Sequence, residues 1–290
     1  MSRRKTLARK TAGTSRKEPP PLSSLPLRKW FTTNEFWKSY LDTFSKFPIL
    51  KPRYLPEGLI LEDKYEVFWK LVDQQGLRPL LFMKERSRYS EMILRVLGLF
   101  LVLKYYPQMM RVVATTLQLK DSLDDIGNGE FYLRFWIAGV TYTITLDELA
   151  SVWGLQNDRI LYKGGNHRSK EYDYWSGENS QELLHVTYIG GEKYSVGEMS
   201  TDHRLLHYML SYLWLPRKGN HGVLTEEDTF IIGAMVKEVE LNWPYLIARR
   251  LMRYTNNSWD SHLGHGMLWT KVFEHLNLDL SGEEAVEVGE

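Results

Sequence analysis

The stretch from Phe131 to Leu155 constrains the fold most, because its polarity pattern is sharper than that of any other segment. Apolar and polar side chains alternate over residues 131–137 and again over 140–145, which is the period of a strand with one buried face. Ala138 and Gly139 lie between the two runs, and Gly accepts the positive φ that tight hairpin turns require. The sequence therefore predicts a β-hairpin.

A short helix is predicted to follow this hairpin directly. Thr145 and Glu148 have the spacing of a capping box, in which each side chain accepts a hydrogen bond from the other residue's backbone N–H. Gly154 is placed to end the helix in the left-handed conformation. Three apolar residues lie on one helical face: Leu149, Val152 and Trp153.

Helical spacing of apolar residues recurs elsewhere along the chain. A capping box of Thr32 and Glu35 predicts a helix that reaches Phe47, and Thr225 and Asn242 are predicted caps of later helices. Further helices are predicted over 63–75, 89–105, 107–117, 202–213, 243–254 and 268–276. Loops are predicted over 120–130 and 156–181, with a second hairpin over 183–189 and 193–196. The predicted fold class is mainly α with a small antiparallel β-hairpin element (α+β), forming a single domain over residues 30–280.

The N-terminal residues 1–26 differ from this domain in composition. They are rich in Lys, Arg, Ser, Thr and Pro and have few apolar groups, so we expect a disordered basic arm. Residues 1–22 hold seven of the 37 Lys and Arg and one of the 36 Asp and Glu, which gives the arm about +6 and the remainder about −5. The basic residues are Arg3, Arg4, Lys5, Arg9, Lys10, Arg16 and Lys17. The other terminus, residues 281–290, is acidic and predicted to fray.

Three interpretations of the basic arm remain open. Clustered cations bind nucleic-acid phosphates and also act as nuclear localisation signals, which favours a nuclear protein. An Arg- and Ser-rich, acid-poor segment also fits an organellar transit peptide. A solvated terminus without a role, in a protein of the cytoplasm, is the third interpretation.

The sequence offers no motif for catalysis. The chain has no Cys, which excludes disulfides, thiol nucleophiles and Cys-based zinc sites. Neither a G-x-S-x-G elbow nor a phosphate-binding G-x-x-x-x-G-K-[ST] loop is present. His203 and His207 have the spacing of two metal ligands on a helix, but no third ligand accompanies them, and a pair on the polar face is favoured. We therefore predict no catalytic residue, no metal and no cofactor.

The segment from Pro216 to Gly222, PRKGNHG, is the body segment with the best binding pattern. Arg217, Lys218 and His221 are hydrogen-bond donors on a Gly-containing turn before a predicted helix N-terminus, a geometry that can receive an anion. The same composition is common in ordinary turns. Arg217 and Lys218 are thus candidate nucleic-acid contacts, with a structural turn as the alternative.

The sequence gives no indication of a membrane segment. The most apolar run, Met92–Leu103, has 12 residues and contains Arg95. A membrane-spanning helix needs about 20 apolar residues. The N-terminus has charge but no apolar core that would make it a secretory signal peptide. We expect no membrane association.

Three blocks in this order resemble a known family: YPQMMRVVATTLQL, FYLRFWIAGVTYTITLDELASVWGL and HRLLHYMLSYLWLPRKGNHGVLTEEDTFIIGAMV. Together they are similar to the plant transposon protein domain family, over roughly Tyr54 to Leu278. The hairpin followed by TLDELA also resembles the related plant mobile domain. The resemblance implies descent from a mobile element, and it supplies no catalytic residues. It does not imply transposase activity.

The function expected from these observations is a non-enzymatic, transposon-derived plant protein domain. It is expected to act in the nucleus as a protein or nucleic-acid interaction module, with nucleic acid bound through the basic arm. The first alternative is a self-associating, capsid-like structural protein of a mobile element. The second alternative is a remnant without function.

Overall fold

The structure, a computed structural model, describes residues 26–50, 64–81, 104–123, 129–157, 184, 188–190, 193–217, 219–256 and 262–287. The arm as far as residue 25, the predicted helix 89–105 except its last two residues, and most of the predicted loop 156–181 lie outside these ranges. Within the described ranges, no helix combines the length and the apolar character needed to cross a bilayer.

The described residues are mainly helical, and the predicted fold class is confirmed. In chain order they form the helices α1 (Asn34–Asp42), α2 (Glu66–Gln74), α3 (Arg78–Leu81), α4 (Pro107–Thr116), α5 (Leu146–Trp153), α6 (Thr201–Met209), α7 (Glu226–Val236), α8 (Trp243–Asn256) and α9 (Gly266–His275). A π-helical turn, Leu210–Trp214, extends α6. Short 3-10 helices, Pro26–Trp30 and Phe44–Lys46, lie on either side of α1.

Short strands form three small antiparallel sheets. The strands are β1 (Lys104–Tyr105), β2 (Gln118–Asp121), β3 (Phe131–Ile137), β4 (Val140–Thr145), β5 (Tyr188–Gly190), β6 (Lys193–Ser195), β7 (Val223–Thr225) and β8 (Val286–Glu287). The strand orders are β1-β8, β2-β3-β4 and β5-β6-β7.

The predicted hairpin and its helix are confirmed in detail. β3 and β4 pair antiparallel, and the alternate residues of β3 from Phe131 to Ile137 are buried. Ala138 and Gly139 have φ values of 50° and 87°, as a two-residue hairpin turn requires. Thr145 and Glu148 form the predicted capping box at α5, and Gly154 ends this helix with φ 72°.

Strand pairing in several places differs from the sequence prediction. Lys120 and Asp121, expected in a loop, belong to β2, which pairs with β3. Lys104 and Tyr105, expected at the end of a helix, form β1. β7 joins the predicted second hairpin as a third strand. These pairings depend on residues distant in sequence, so short-range periodicity does not reveal them.

The acidic C-terminal segment is held by contacts as far as Glu287 and does not fit the prediction of fraying. Val286–Glu287 pairs with β1. The Glu283 carboxylate accepts a hydrogen bond from Trp30 Nε1 at 2.9 Å and pairs with Lys29 at 3.1 Å. These contacts with residues distant in sequence hold the segment against the body, although its polar composition alone suggests that it would fray.

Helix caps agree with the prediction apart from one shift. Thr225 forms a capping box with Asp228 at α7, and Asn242 Oδ1 accepts from the Tyr245 N–H at 3.0 Å at the start of α8. At α1 the cap is Thr33, whose hydroxyl accepts from the Phe36 N–H at 3.2 Å, and the Thr32 prediction was wrong by one residue.

The core lies against the buried face of β3. Leu133 and Phe135 are completely buried, and the Phe135 ring packs edge-on against Trp269 of α9 with centroids 5.8 Å apart. Phe131 contacts Tyr245 of α8, with centroids 5.2 Å apart. Aromatic pairs in these tilted or edge arrangements are stabilising beyond the area that they bury. The helices α8 and α9 therefore pack against the buried face of the hairpin.

A buried polar side chain joins the N-terminal helices to the C-terminal ones. Gln75, after α2, is 2% exposed. Its carbonyl oxygen accepts from the Leu241 N–H at 3.0 Å and from Trp243 Nε1 at 3.1 Å, and its amide donates to the Val239 carbonyl at 2.7 Å. Because both ends of the amide are satisfied, its burial does not leave a polar group unpaired.

Replacing the α5 cap tests the confirmed hairpin-to-helix junction. We expect Thr145→Ala to lower the free energy of unfolding by about 1 kcal/mol, because the Glu148 N–H loses its acceptor. Urea unfolding monitored by circular dichroism measures the change. Thr143→Ala, an exposed change on the same strand, is the control and should cost no more than about 0.5 kcal/mol. Equal losses in the two variants would contradict the capping role.

Candidate functional site

The Pro216–Gly222 loop, whose sequence fits either an anion-binding turn or a structural turn, lies between the π-helical turn and β7. Two hydrogen bonds with neighbouring helical segments fix its first residues. The Tyr254 hydroxyl of α8 donates to the Pro216 carbonyl. The Arg217 N–H donates to the Ser211 carbonyl at 3.2 Å. The loop therefore starts as part of the packed body.

Arg217 forms an ion pair with Asp228 that closes the loop onto α7. Its Nη2 lies 2.9 Å from Asp228 Oδ2 and donates to the Val223 carbonyl at 2.7 Å. The two side chains are 12% and 3% exposed, so both charges are largely removed from water. Asp228 also accepts from the Thr225 N–H at 2.9 Å. The Asp228 carboxylate thus takes part in the capping box of α7 and also neutralises the Arg217 guanidinium of the loop.

The ion pair with Asp228 involves one of the predicted nucleic-acid contacts, Arg217. The guanidinium of Arg217 is bound by Asp228 and Val223, which gives the residue a structural role whether or not it also meets a phosphate. Lys218 and the seven basic residues of the arm lie outside the described residues. Their binding to nucleic acid stays a prediction.

His207 holds the far end of the same loop. The ring is completely buried, and its Nε2 lies 2.9 Å from the His221 carbonyl. Burial lowers the pKa of His207, and Asp228 opposes this effect. A neutral ring that carries its proton on Nε2 fits this geometry, since Nδ1 has no hydrogen-bond partner among the described residues. The prediction of a histidine on a polar face was therefore wrong for His207.

The spacing of His203 and His207 does not produce a metal site in the described part of the chain. Nε2 of His207 lies at hydrogen-bond distance from the His221 carbonyl oxygen. A protonated Nε2 can donate to this oxygen, whereas a nitrogen bound to a metal has no proton to donate. No three His, Asp or Glu side chains in the described ranges are close enough to hold a metal ion together.

A second buried histidine, His265, connects the π-helical turn with α9. Its Nε2 lies 3.0 Å from the Trp214 carbonyl. Burial lowers the pKa of His265 to about 4, so the ring is neutral at pH 7. Its φ is 63°, a left-handed conformation that non-glycine residues adopt uncommonly. The residue is a structural connector.

Glu227 is a site residue whose role the sequence did not predict. Its carboxylate accepts from Arg250 at 2.9 Å and from Arg253 at 2.6 Å, both on α8. Burial raises the pKa of Glu227, but the nearby arginines outweigh burial and the net pKa is lowered. Arg250 and Arg253 are three residues apart, which puts both cations on one face of the helix. This spacing is the sequence signal that could have indicated a shared anionic partner.

Comparison with known proteins adds no relative. No family model, no curated protein and no solved structure matches the chain. The interpretation of the site therefore depends on its own geometry, in which the buried charged and histidine side chains hold loops and helices together.

Removing the carboxylate charge of Asp228 tests the loop closure. We expect Asp228→Asn to lower the free energy of unfolding by about 3 kcal/mol, because it leaves the Arg217 cation largely buried without a counter-charge. Adding Arg217→Met should recover part of this loss, since no unpaired charge then remains. Urea unfolding of the single and double variants measures both effects.

The exposed ion pair of Lys70 and Glu238 provides the matched control. These side chains are 66% and 55% exposed, so Glu238→Gln should hardly change stability. If Asp228→Asn were as stable as Glu238→Gln, the Arg217 pair would not be holding the loop.

The lowered pKa of His265 predicts a loss of stability in acid. The unfolded chain has a histidine pKa near 6.5, so it takes up a proton before the folded chain does. Stability therefore falls as pH drops from about 6.5 towards 4, by about 2 kcal/mol at pH 5. His265→Asn, which tolerates the left-handed backbone, should remove this part of the pH dependence. The exposed His275→Gln is the control, and an unchanged dependence in His265→Asn would contradict the assignment.

Proposed function

We propose that this chain is a non-enzymatic interaction module that binds nucleic acid through its basic N-terminal arm. The observation that carries the proposal is the separation of charge, with about +6 in residues 1–22 and about −5 in the remainder. A segment with this density of Lys and Arg releases counterions when it neutralises phosphates, which favours binding to polyanions. The acidic remainder does not contribute to such binding in general.

The contacts within the body support an interaction module over an enzyme. The ionisable side chains that a buried active site could use each have a structural partner in the described residues: Arg217, Asp228, His207 and Glu227. Their hydrogen bonds hold the Pro216–Gly222 loop and α8 in place. This use of ionisable groups favours a rigid body that presents the arm and its own surface to a partner.

The proposal extends to origin and location. The resemblance to the plant transposon protein domain family supports descent from a mobile element. A basic cluster of this kind is also a nuclear localisation signal in many proteins, which supports the nucleus as the place of action. Binding to nucleic acid and entry into the nucleus would then use the same residues.

The arm is tested by neutralising three of its lysines. We expect Lys5→Gln, Lys10→Gln and Lys17→Gln together to weaken binding to a DNA duplex and to reduce its salt dependence. Each lost phosphate contact changes the slope of log Kobs against log salt concentration by about 0.9, so the slope should become shallower by about 2 to 3. Fluorescence anisotropy at several salt concentrations gives the slope.

Three exposed lysines of the body form a control of equal charge and residue type. Lys38, Lys46 and Lys237 are exposed, and their joint replacement by Gln should leave the duplex slope nearly unchanged. Equal effects of the two triple variants would contradict a specific role of the arm. An unaltered chain that binds neither DNA nor RNA at low salt would contradict the proposed function.

A further inference from the structure

The sheet β2-β3-β4 has a second face, opposite to the core. The middle strand places Tyr132, Arg134 and Trp136 on this face, and all three are half-buried. The strand register aligns them with outward residues of both neighbouring strands. We call the following set the outer face: Gln118, Lys120, Tyr132, Arg134, Trp136, Thr141, Thr143 and Thr145.

The outer face is positively charged although the body as a whole is acidic. Its eight residues include two cations, Lys120 and Arg134, and no carboxylate. Glu148 lies at its edge, where its carboxylate accepts from the Thr145 N–H at 2.8 Å. The chain outside residues 1–22 has a net charge of about −5, so a set of residues with cations and no carboxylate differs from the rest of the body. This charge favours an anionic partner.

Arg134 differs in its pairing from the three arginines that hold the Pro216–Gly222 loop and α8. Arg217, Arg250 and Arg253 are each bound to a carboxylate. In the described ranges Arg134 has no carboxylate partner, and its Nη2 donates to the Tyr132 hydroxyl at 3.3 Å. Its Nε is buried, and the remaining donors of its two terminal nitrogens can bind a phosphate without breaking an ion pair.

Planar side-chain groups lie along the outer side of the middle strand. The Arg134 Cζ lies 4.9 Å from the centre of the Tyr132 ring, so the two groups form a cation–π pair. Phe36 of α1 supports the Trp136 ring in a stacked arrangement, with centroids 6.0 Å apart and planes 27° apart. Tyr132 and Trp136 are four residues apart, about 13 Å along a strand. Aromatic rings and guanidinium planes are the surfaces on which unpaired bases stack.

We propose that the outer face binds single-stranded nucleic acid, with bases stacked on Trp136 and on the Arg134–Tyr132 pair. Lys120 and Arg134 then contact the phosphates. A duplex keeps its bases stacked inside the helix and cannot use the two planar surfaces, so the face distinguishes single strands from duplexes. The inference rests on the proposed function, since it takes nucleic acid as the partner, and it assigns a separate surface for single strands.

Replacing the two outer aromatic residues tests the stacking. In the full chain, Tyr132→Leu with Trp136→Leu should weaken binding to a fluorescent oligo(dT) by at least about thirtyfold, because each lost base stack alone weakens binding by about fivefold or more. Tyr132→Phe with Trp136→Phe is the matched control, and it should stay within about threefold because the π surfaces remain. Duplex binding should be the same in both variants and in the unaltered chain.

A second variant covers the case in which the leucine pair does not fold, which circular dichroism would show. Lys120→Gln with Arg134→Gln removes both cations from exposed or half-buried positions. It should make the salt dependence for oligo(dT) shallower by about 1 to 1.5, since each contact with a single strand contributes about 0.7. An unchanged slope would overturn the inference.

The remaining outcomes separate this inference from the proposed function. If oligo(dT) binding survives the folded leucine pair and is lost with the three arm lysines, the outer face is not the single-strand site and the proposed function stands. If the ratio of oligo(dT) affinity to duplex affinity is the same in the folded leucine pair as in the unaltered chain, the inference is overturned as well. If the unaltered chain binds no nucleic acid, both are overturned.

Discussion

The burial of one face of β3 is the constraint on which the rest of the described structure depends. Leu133 and Phe135 are completely buried, and α8 and α9 pack their aromatic residues against this face. Because successive side chains of a strand point to opposite sides, the same packing turns Tyr132, Arg134 and Trp136 outward. A slip of one residue would bury Arg134 and expose the core, so the register of the hairpin fixes both surfaces together.

The charges of the body divide into two groups with different environments. Asp228 and Glu227, at the start of α7, neutralise arginines that hold the Pro216–Gly222 loop and α8. Arg217 and Arg250 are largely buried, whereas Arg253 stays 42% exposed. Breaking such pairs is costly, which suits a structural role. Arg134 and Lys120 have no such partner in the described ranges and face outward. Within the described ranges, Lys120 and Arg134 are therefore cations of the sheet that no carboxylate neutralises, whereas Arg217 and Arg250 are buried in the framework.

Sequence reasoning predicted the local structure well and the long-range structure poorly. The hairpin, the capping box at Thr145 and the left-handed Gly154 all follow from residues within four positions of one another, so the pattern is visible in the sequence. Pairing of β8 with β1, and of Arg217 with Asp228, depends on how distant or looped segments meet. The outer face was missed for a related reason. Its middle strand was recognised, but β2, which contributes Lys120, was predicted as a loop.

Ultraviolet cross-linking of the full chain to oligo(dT), followed by mass spectrometry of the linked peptides, tests the central claim most directly. It locates the contact residues without any substitution. We expect linked peptides to include residues 131–137, with Tyr132 or Trp136 as the attachment point, because bases stacked on these rings lie within bonding distance. Cross-links confined to the basic arm, or to the Pro216–Gly222 loop, would contradict binding at the outer face.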